Sequence, residues 1–463
     1  MKWLRTGILL LVFPILGCGS KEGQYLLVYE EGEELLVGQL GVKSQSSNAF
    51  GFEVPGLSFQ EQAKFAVGNS LFNQSWVSAP ASTIARDGLG PTFNARACAA
   101  CHFKDGRGKP LLIDEDTNGF LMRVSREGTD AYGGPLGLPD YGAQIQDHSN
   151  RTIPFEAKIA VTYDTLHGTY ADGKPYTLYK PLYRFKEENF GKIEDVMTSP
   201  RVAQQTIGMG FISALPDGEI LKYADEFDAD GDGISGRANY VWNHDTHERD
   251  LGKYGWKANA PTLKTQVASA FHGDMGLTSP VFPDQDCPDP QKACAQAPNG
   301  GQPEVTEKQL EKVLFYQASL SVPNRRNAKD ENVLKGKVLF YELNCVGCHA
   351  VNQVTGRFPL NPLLEGIRIK PYSDFLLHDM GEALADNRPD YKASGREWRT
   401  QPLWGIGLIP TVNKHTYFLH DGRARSVEEA VLWHGGEAEK SKDEFKNLTE
   451  TERKQLLAFI NSL

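Results

Sequence analysis

A mainly α-helical chain, built from one unit used twice, is the fold this sequence predicts. Three observations predict it. Two amphipathic helices open on the same capping signature: Thr306-Glu-Lys-Gln309 leads into Val313, Leu314, Tyr316 and Leu320, and Thr449-Glu-Thr-Glu452 leads into Leu456, Leu457, Phe459 and Leu463. In each, a hydroxyl caps the helix, an amide or carboxylate three residues on caps back, and apolar residues recur three and four apart. A second segment also occurs twice, as Gly68-Asn-Ser-Leu71-Phe72 and Gly336-Lys-Val-Leu339-Phe340. Between the two elements, in each half, lies Cys-x-x-Cys-His: Cys98-Ala-Ala-Cys101-His102 and Cys345-Val-Gly-Cys348-His349.

At the N-terminus, Lys2 and Arg5 precede an apolar run from Gly7 to Leu16, too short to span a bilayer, which ends Ile15-Leu16-Gly17-Cys18. Residues 1–17 read as a lipoprotein signal with Cys18 the lipidated first residue of the mature chain; ordinary secretory cleavage nearby is the alternative. Gly19 and Ser20 follow, with no aspartate. By resemblance to Gram-negative sorting signals, that favours a lipid anchor in the outer membrane, facing the periplasm. Residues 18–55 are rich in Gly, Ser, Gln and Glu and read as a tether, with room for one short strand at Tyr25 to Tyr29. Order is expected from Leu57, where Ser58 and Glu61 cap a helix running through Phe65, Gly68, Leu71 and Phe72.

Helix, Cys-x-x-Cys-His, a Pro-Leu segment (Pro261-Thr-Leu263 and Pro402-Leu403) and a closing helix are the order of parts in a cytochrome c domain. The expectation is therefore two cytochrome-c-like domains, 56–322 and 323–463, divided at Ser321-Val-Pro-Asn324, where proline follows the first closing helix. The first domain is the larger. Its surplus, between His102 and Pro261, is rich in Gly, Pro, Asp and Tyr and is expected to be an insertion of loops and short strands around the first centre.

Two thiols three residues apart, with an imidazole directly behind, are what covalent c-type haem attachment needs. The sulfurs add to the porphyrin vinyl groups and the histidine becomes the proximal iron ligand. A redox dithiol or half a zinc site predicts no particular fifth residue, and zinc wants a second Cys-x-x-Cys nearby. Two covalently bound haem c groups follow, one on Cys98, Cys101 and His102, the other on Cys345, Cys348 and His349. Of seven cysteines, Cys18 and these four leave Cys287 and Cys294. In an oxidising compartment this loop pair reads as a local disulfide; a catalytic dithiol lacks the Cys-x-x-Cys spacing and a basic or helical context.

Asp228-Ala-Asp230-Gly-Asp232-Gly233-Ile234 is the opening half of a calcium loop, because three carboxylates on one glycine turn repel unless a cation sits between them. Ile234 offers a backbone carbonyl. Asn239, not Glu, holds the twelfth position, and a solvated acidic turn is the alternative. The net charge of −10 over 463 residues argues against nucleic acid and anionic membrane surfaces as partners.

Five segments carry a family resemblance: Asp87 to His102, Asp230 to Arg237, Tyr254-Gly-Trp256-Lys-Ala, Tyr372-Ser-Asp-Phe-Leu-Leu-His-Asp-Met380-Gly, and Leu419-His-Asp-Gly-Arg423. In them, and over nearly the whole mature chain, the sequence resembles the bacterial dihaem oxidoreductases, also called thiol oxidoreductases, relatives of the dihaem cytochrome c peroxidases. In those peroxidases a segment like Ser426-Val-Glu-Glu-Ala-Val431 precedes a methionine that is the sixth ligand of the second haem. Here His434 holds that position. The resemblance thus implies bis-histidine ligation by His349 and His434 and a low potential, with Met380 the alternative. His378, His415 and His420 read as structural or exposed.

The peroxidases also carry a displaceable histidine soon after the first motif, which this chain lacks. Met275, or His272 beside it, is the candidate ligand there by its place in the internal repeat; an unliganded iron would be open to peroxide. Gln146 and Glu156 are candidate acid–base residues, from their place in the insertion and a loose similarity to Gln/Glu pairs of peroxidases. Trp256 or Trp242 could carry electrons between haems, or simply fill the core. The function implied is a dihaem oxidoreductase that takes electrons from a small redox protein through its second haem and reduces hydrogen peroxide, or a similar small oxidant, at its first. An electron carrier with no substrate, and an oxidase of thiols or of another protein, are the competing readings.

Overall fold

The structure is a computed structural model and describes residues 27–463 apart from 114, 116–118 and 151. The signal segment and Cys18 lie outside the described residues. The helices that frame the sites are α1 (Phe59–Asn73), α2 (Leu263–Met275), α3 (Glu307–Ser319), α4 (Glu331–Glu342), α5 (Val427–Trp433) and α6 (Glu450–Ser462). Capping boxes form at Ser58 and Glu61, Thr306 and Gln309, and Thr449 and Glu452, so α1, α3 and α6 start where the sequence predicts.

Helix α1 packs on α3, and α4 packs on α6. Each crossing needs a glycine. A Cβ on Gly68 would stand 2.2 Å from the Lys312 carbonyl oxygen, and one on Gly336 would stand 1.9 Å from that of Gln455. Only a residue without a side chain lets the two backbones approach so far. One turn on from each glycine, Phe72 packs on Tyr316 with ring centroids 5.4 Å apart, and Phe340 packs on Phe459 at 5.1 Å. Each phenylalanine also reaches the histidine of its own Cys-x-x-Cys-His motif: Phe72 to His102 and Phe340 to His349, both at 6.2 Å. The repeated Gly-x-x-Leu-Phe segment is thus the part that docks a helix crossing onto a histidine.

The expectation of a mainly α chain of two cytochrome-c-like domains is corrected by the rest of the molecule. Helix makes up 29% of the chain and strand 18%, the strands lying in small two-stranded sheets. The longest is an antiparallel hairpin of β2 (Lys158–Thr169) and β3 (Pro175–Lys186), in register from Lys158 opposite Lys186 to Thr169 opposite Pro175. Its β-branched and aromatic content, such as Val161-Thr-Tyr163 and Tyr176-Thr-Leu-Tyr179, suits a pleated strand, and Asp172-Gly173 makes the turn. It is followed by β4 (Met197–Val202), which pairs antiparallel with β1 (Phe120–Ser125). In the second half, β5 (Leu377–Asp379) pairs with β6 (Glu397–Arg399).

The tether is also corrected. Leu36, Val37, Phe50 and Val54 are wholly buried. The segment runs along Ser319–Asn324, with Val42 N donating to Val322 O (3.1 Å), Asn324 N to Val42 O (2.9 Å), Ser321 N to Phe52 O (2.9 Å) and Val54 N to Ser319 O (2.8 Å). It therefore completes the backbone hydrogen bonding of the junction between the halves, which is itself buried at Leu320 and Val322. No helix among the described residues is long and apolar enough to cross a membrane.

Substituting Gly336→Ala should lower unfolding free energy by about 1–3 kcal/mol through overpacking against Gln455. Gly218→Ala, where an added Cβ meets nothing within 4 Å, should stay within about 0.5 kcal/mol of wild type. Urea unfolding of the two variants side by side checks both.

Candidate functional site

The second Cys-x-x-Cys-His turn follows α4 directly. The ring Nδ1 of His349 lies 2.9 Å from the backbone oxygen of Tyr372. A carbonyl only accepts, so Nδ1 carries the hydrogen and Nε2 keeps its lone pair. Tyr372 has a φ of +52°, unusual for a bulky residue. Its ring is wedged against Phe340 and Phe459, both at 5.9 Å, which holds the strained backbone in place. His434 follows α5 and repeats the arrangement, with Nδ1 2.6 Å from Ala430 O. Burial pushes His349 down to about 4 and His434 below its usual value, so both rings are neutral.

Both imidazoles, with Cys345 and Cys348, line one cavity whose wall includes Phe340, Leu343, Ile409, Val431, Leu456 and Ile460. Met380 lines it too. His434 is close enough to depress His349 further. His378, expected to be structural or exposed, is a buried part of the same wall, its ring between Asp374 Oδ2 (2.8 Å) and Glu437 Oε2 (2.7 Å). Burial alone would lower its pKa, but Cys348 and Asp374 raise it well above the usual value. Glu437 also accepts from Ser235 Oγ (2.7 Å) and Asp379 N (3.0 Å). Burial works to raise its pKa; the bond from His378 and these donors pull it down to about 2.

At the first motif, His102 Nδ1 lies 2.6 Å from Gln204 O, and burial again lowers the ring's pKa. Cys98, Cys101, His102, Arg123 and Asp274 are all half-buried. Burial pushes both thiols up to about 12, and the Asp274 carboxylate adds to it. Asp274 is itself held above its usual value by burial, against the pull of Arg123 and of Gln144, whose Nε2 donates to it at 3.0 Å. Its backbone oxygen receives Asn94 N and Ala95 N, which lead into Cys98. Arg123 has a buried Nε with no acceptor among the described residues.

Asp274 escaped the sequence reading. The signal was present: it follows Phe271 by three residues and so shares the buried face of α2 with Ala268 and Phe271, where a carboxylate is out of place. Gln146 and Glu156 do meet, but as a support. Glu156 accepts from Gln146 N and from Gln291 Nε2, both at 2.7 Å, and burial pushes it up to about 8. Gln146 Nε2 donates to Gly273 O at 2.6 Å, one residue before Asp274. Met275 is buried at the end of α2, its carbonyl taking Gly90 N. His272 Nε2 lies 3.1 Å from Asp284 O.

Trp256 lines the second cavity, its Nε1 on Val202 O at 2.8 Å, whereas Trp242 packs on Tyr132. His420, also expected to be structural or exposed, stacks on Trp398 at 3.8 Å, and His415 Nε2 lies 3.1 Å from Arg107 O. Cys287 and Cys294 are joined by a disulfide. In the acidic turn, carboxylates of Asp225, Asp228 and Asp230 lie within 4.8 Å of one another. Asp232, in the expected set with Ile234, lies outside this group, and its Oδ1 accepts Ile234 N at 2.8 Å.

A family model described as "di-haem oxidoreductase, putative peroxidase" matches residues 37–463. The chain belongs to this family. No curated protein and no solved structure matches. A di-haem oxidoreductase has two haems to hold, and the two motif sites fit them: each offers a pair of sulfurs and a neutral imidazole with a free Nε2, at the second motif facing a cavity.

Removing the charge of Glu437 tests the electrostatics of the second site. Its folded pKa is depressed, so its contribution is full above its ordinary value of 4.5 and is lost as pH falls toward about 2. The raised His378 contributes below its ordinary value of 6.5 and loses that only as pH rises through its higher folded value. Glu437→Gln should therefore cost about 3 kcal/mol at pH 6, where both partners are charged. It should also flatten the acid limb of the stability profile, measured by denaturant unfolding at a series of pH values.

Proposed function

We propose that this di-haem oxidoreductase reduces hydrogen peroxide, or an oxidant of similar size, at the His102 site, using electrons that a small redox protein delivers through the His349–His434 site. The observation that carries this reading is the difference between the two sites. His349 shares its cavity with a second imidazole, His434, so this site would hold its haem iron with two histidines. The first site has instead the Asp274 carboxylate, held by Gln144 Nε2 at 3.0 Å and tied through its backbone oxygen to Asn94 and Ala95, which lead into Cys98. Bound haem supplies one-electron redox chemistry at both sites and, at the first, an iron position for the oxidant.

In this reading Cys98, Cys101, Cys345 and Cys348 hold the haems through thioether bonds, and His102, His349 and His434 are iron ligands. Reducing one peroxide breaks its O–O bond and consumes two electrons and two protons to give two waters. The protein's task is to carry those protons to the His102 site. Asp274 holds and passes a proton there, and Arg123 opposes the negative charge that develops on the departing oxygen. Gln144 fixes the Asp274 carboxylate. Gln146 and Glu156 act at one remove, by holding the Gly273 carbonyl, and are positioning residues. A lipid on Cys18 and a periplasm-facing location rest on the N-terminal motif, and a calcium ion among Asp225, Asp228 and Asp230 rests on the acidic turn.

An EPR spectrum of half-reduced holoprotein separates enzyme from carrier. The expected result is a high-spin ferric signal that peroxide removes; low-spin signals alone, indifferent to peroxide, would mean Met275 or another ligand closes the first iron and would leave an electron carrier. Asp274→Asn should lower peroxide turnover by about 10²- to 10⁴-fold while both haem spectra persist. His434→Ala should turn one low-spin signal high-spin, and His434→Met should restore low spin at a raised potential.

A further inference from the structure

Buried guanidinium groups in this protein mostly have carboxylate partners: Arg201 with Asp390 and Arg423 with Asp421, both at 2.9 Å, and Arg453 with Asp172 at 2.6 Å. Arg107 and Arg399 are as buried, 7% and 4% exposed. Among the described residues, neither has a carboxylate within ion-pair distance. Arg107 donates Nε to Tyr417 O at 2.9 Å and a terminal nitrogen to Leu419 O, and its guanidinium lies over the Trp256 ring. Arg399 donates Nε to Gly255 O at 2.8 Å and Nη2 to Gln401 Oε1 at 2.7 Å, while its Nη1 has no acceptor.

Both arginines line the cavity of the second site, and so does Gln204, whose buried Nε2 also has no acceptor. The arginine side chains donate to Tyr417, Leu419, Gly255 and Gln401, and the Gln204 carbonyl accepts from His102; none of these bonds goes to the Cys345–His349 turn. Two unpaired cations and an unmet amide donor in one enclosed wall are costly unless the occupant brings negative charge. Haem carries two propionate carboxylates.

We propose that Arg107, Arg399 and Gln204 receive the carboxylates of the haem held between His349 and His434, and that Gln204 thereby joins the two sites. The joining follows from its backbone, since the Gln204 carbonyl is the acceptor for His102 Nδ1 at 2.6 Å. A run of covalent and hydrogen bonds then leads from the second haem's carboxylate, through one residue, to the ligand of the first. The inference rests on the haem sites proposed above.

The test is spectroelectrochemical titration of both haems in the holoprotein, with covalent haem counted by pyridine haemochrome. Arg399→Gln removes a cation that favours the reduced state, so the midpoint potential of the bis-histidine haem should fall while that of the other haem stays put. Arg399→Lys should restore most of the shift, which a purely structural role would not do. Gln204→Ala, which keeps the backbone carbonyl, should slow electron exchange between the haems in flash-reduction experiments without loss of either haem. Two haems in wild type with no selective shift in Arg399→Gln, or a Lys variant that behaves like Gln, would overturn this proposal and leave the haem sites standing. A wild-type protein with fewer than two covalent haems would overturn the haem reading itself.

Discussion

A hydrogen bond from ring nitrogen to backbone carbonyl sets the chemistry of three imidazoles at these sites. His102 is tied to Gln204, His349 to Tyr372 and His434 to Ala430. Because a carbonyl cannot donate, each tie selects one tautomer and aims a free Nε2 away from it. Two of the three acceptors are remote in sequence, so the ligand geometry depends on the tertiary fold. At His349 the dependence is visible as strain: Tyr372 keeps a positive φ because Phe340 and Phe459 grip its ring. Those rings in turn come from α4 and α6, which approach closely only because Gly336 has no side chain. Glycine, aromatic cluster, strained carbonyl and imidazole form one mechanical chain.

The two sites are not separate compartments. The cavity that holds His349 and His434 is walled in part by Arg107, Gln204 and Trp256 from the first half of the sequence. The buried segment around Leu36 to Val54 runs along the junction Ser319–Asn324 and adds an ion pair from Glu33 to Lys337 at 2.7 Å. Relative motion of the halves would break backbone hydrogen bonds that are shielded from water, which makes it expensive. A fixed distance between sites suits electron transfer better than it suits a mobile lid.

What the sequence revealed was local. Capping boxes at Ser58, Thr306 and Thr449 rest on residues three apart, and the Cys-x-x-Cys-His motifs on five adjacent positions, so both can be read directly. The Gly68–Phe72 and Gly336–Phe340 match was legible as a repeat, but its role in docking onto His102 and His349 was not, since that needs the crossing helix. Short strands are legible in the insertion but the length of the hairpin is not, because Gly, Pro and Asp around it point to loops while its Val, Thr and Tyr carry the β signal. Asp225 was missed because the calcium pattern begins three residues after it. Leu36, Val37 and Phe50 read as tether because they form no periodic element; their segment is buried by pairing with Ser319–Asn324 and Lys370, which are remote in sequence.

The repeat also explains why the two sites differ. In each half, a further helix precedes the closing one: α2 before α3, and α5 before α6. At the end of α5 stands His434; at the end of α2 stands Asp274. The parts that hold a histidine in place are alike in both halves, from helix crossing to phenylalanine to backbone tie. The group supplied from the other helix is not. In the function proposed above, an imidazole there would complete a ligand pair, whereas a carboxylate near Arg123 would serve proton transfer instead. One scaffold thus presents two unlike side chains at the end of a single helix, while Gln204 accepts from His102 through its carbonyl and lines the cavity of the other site.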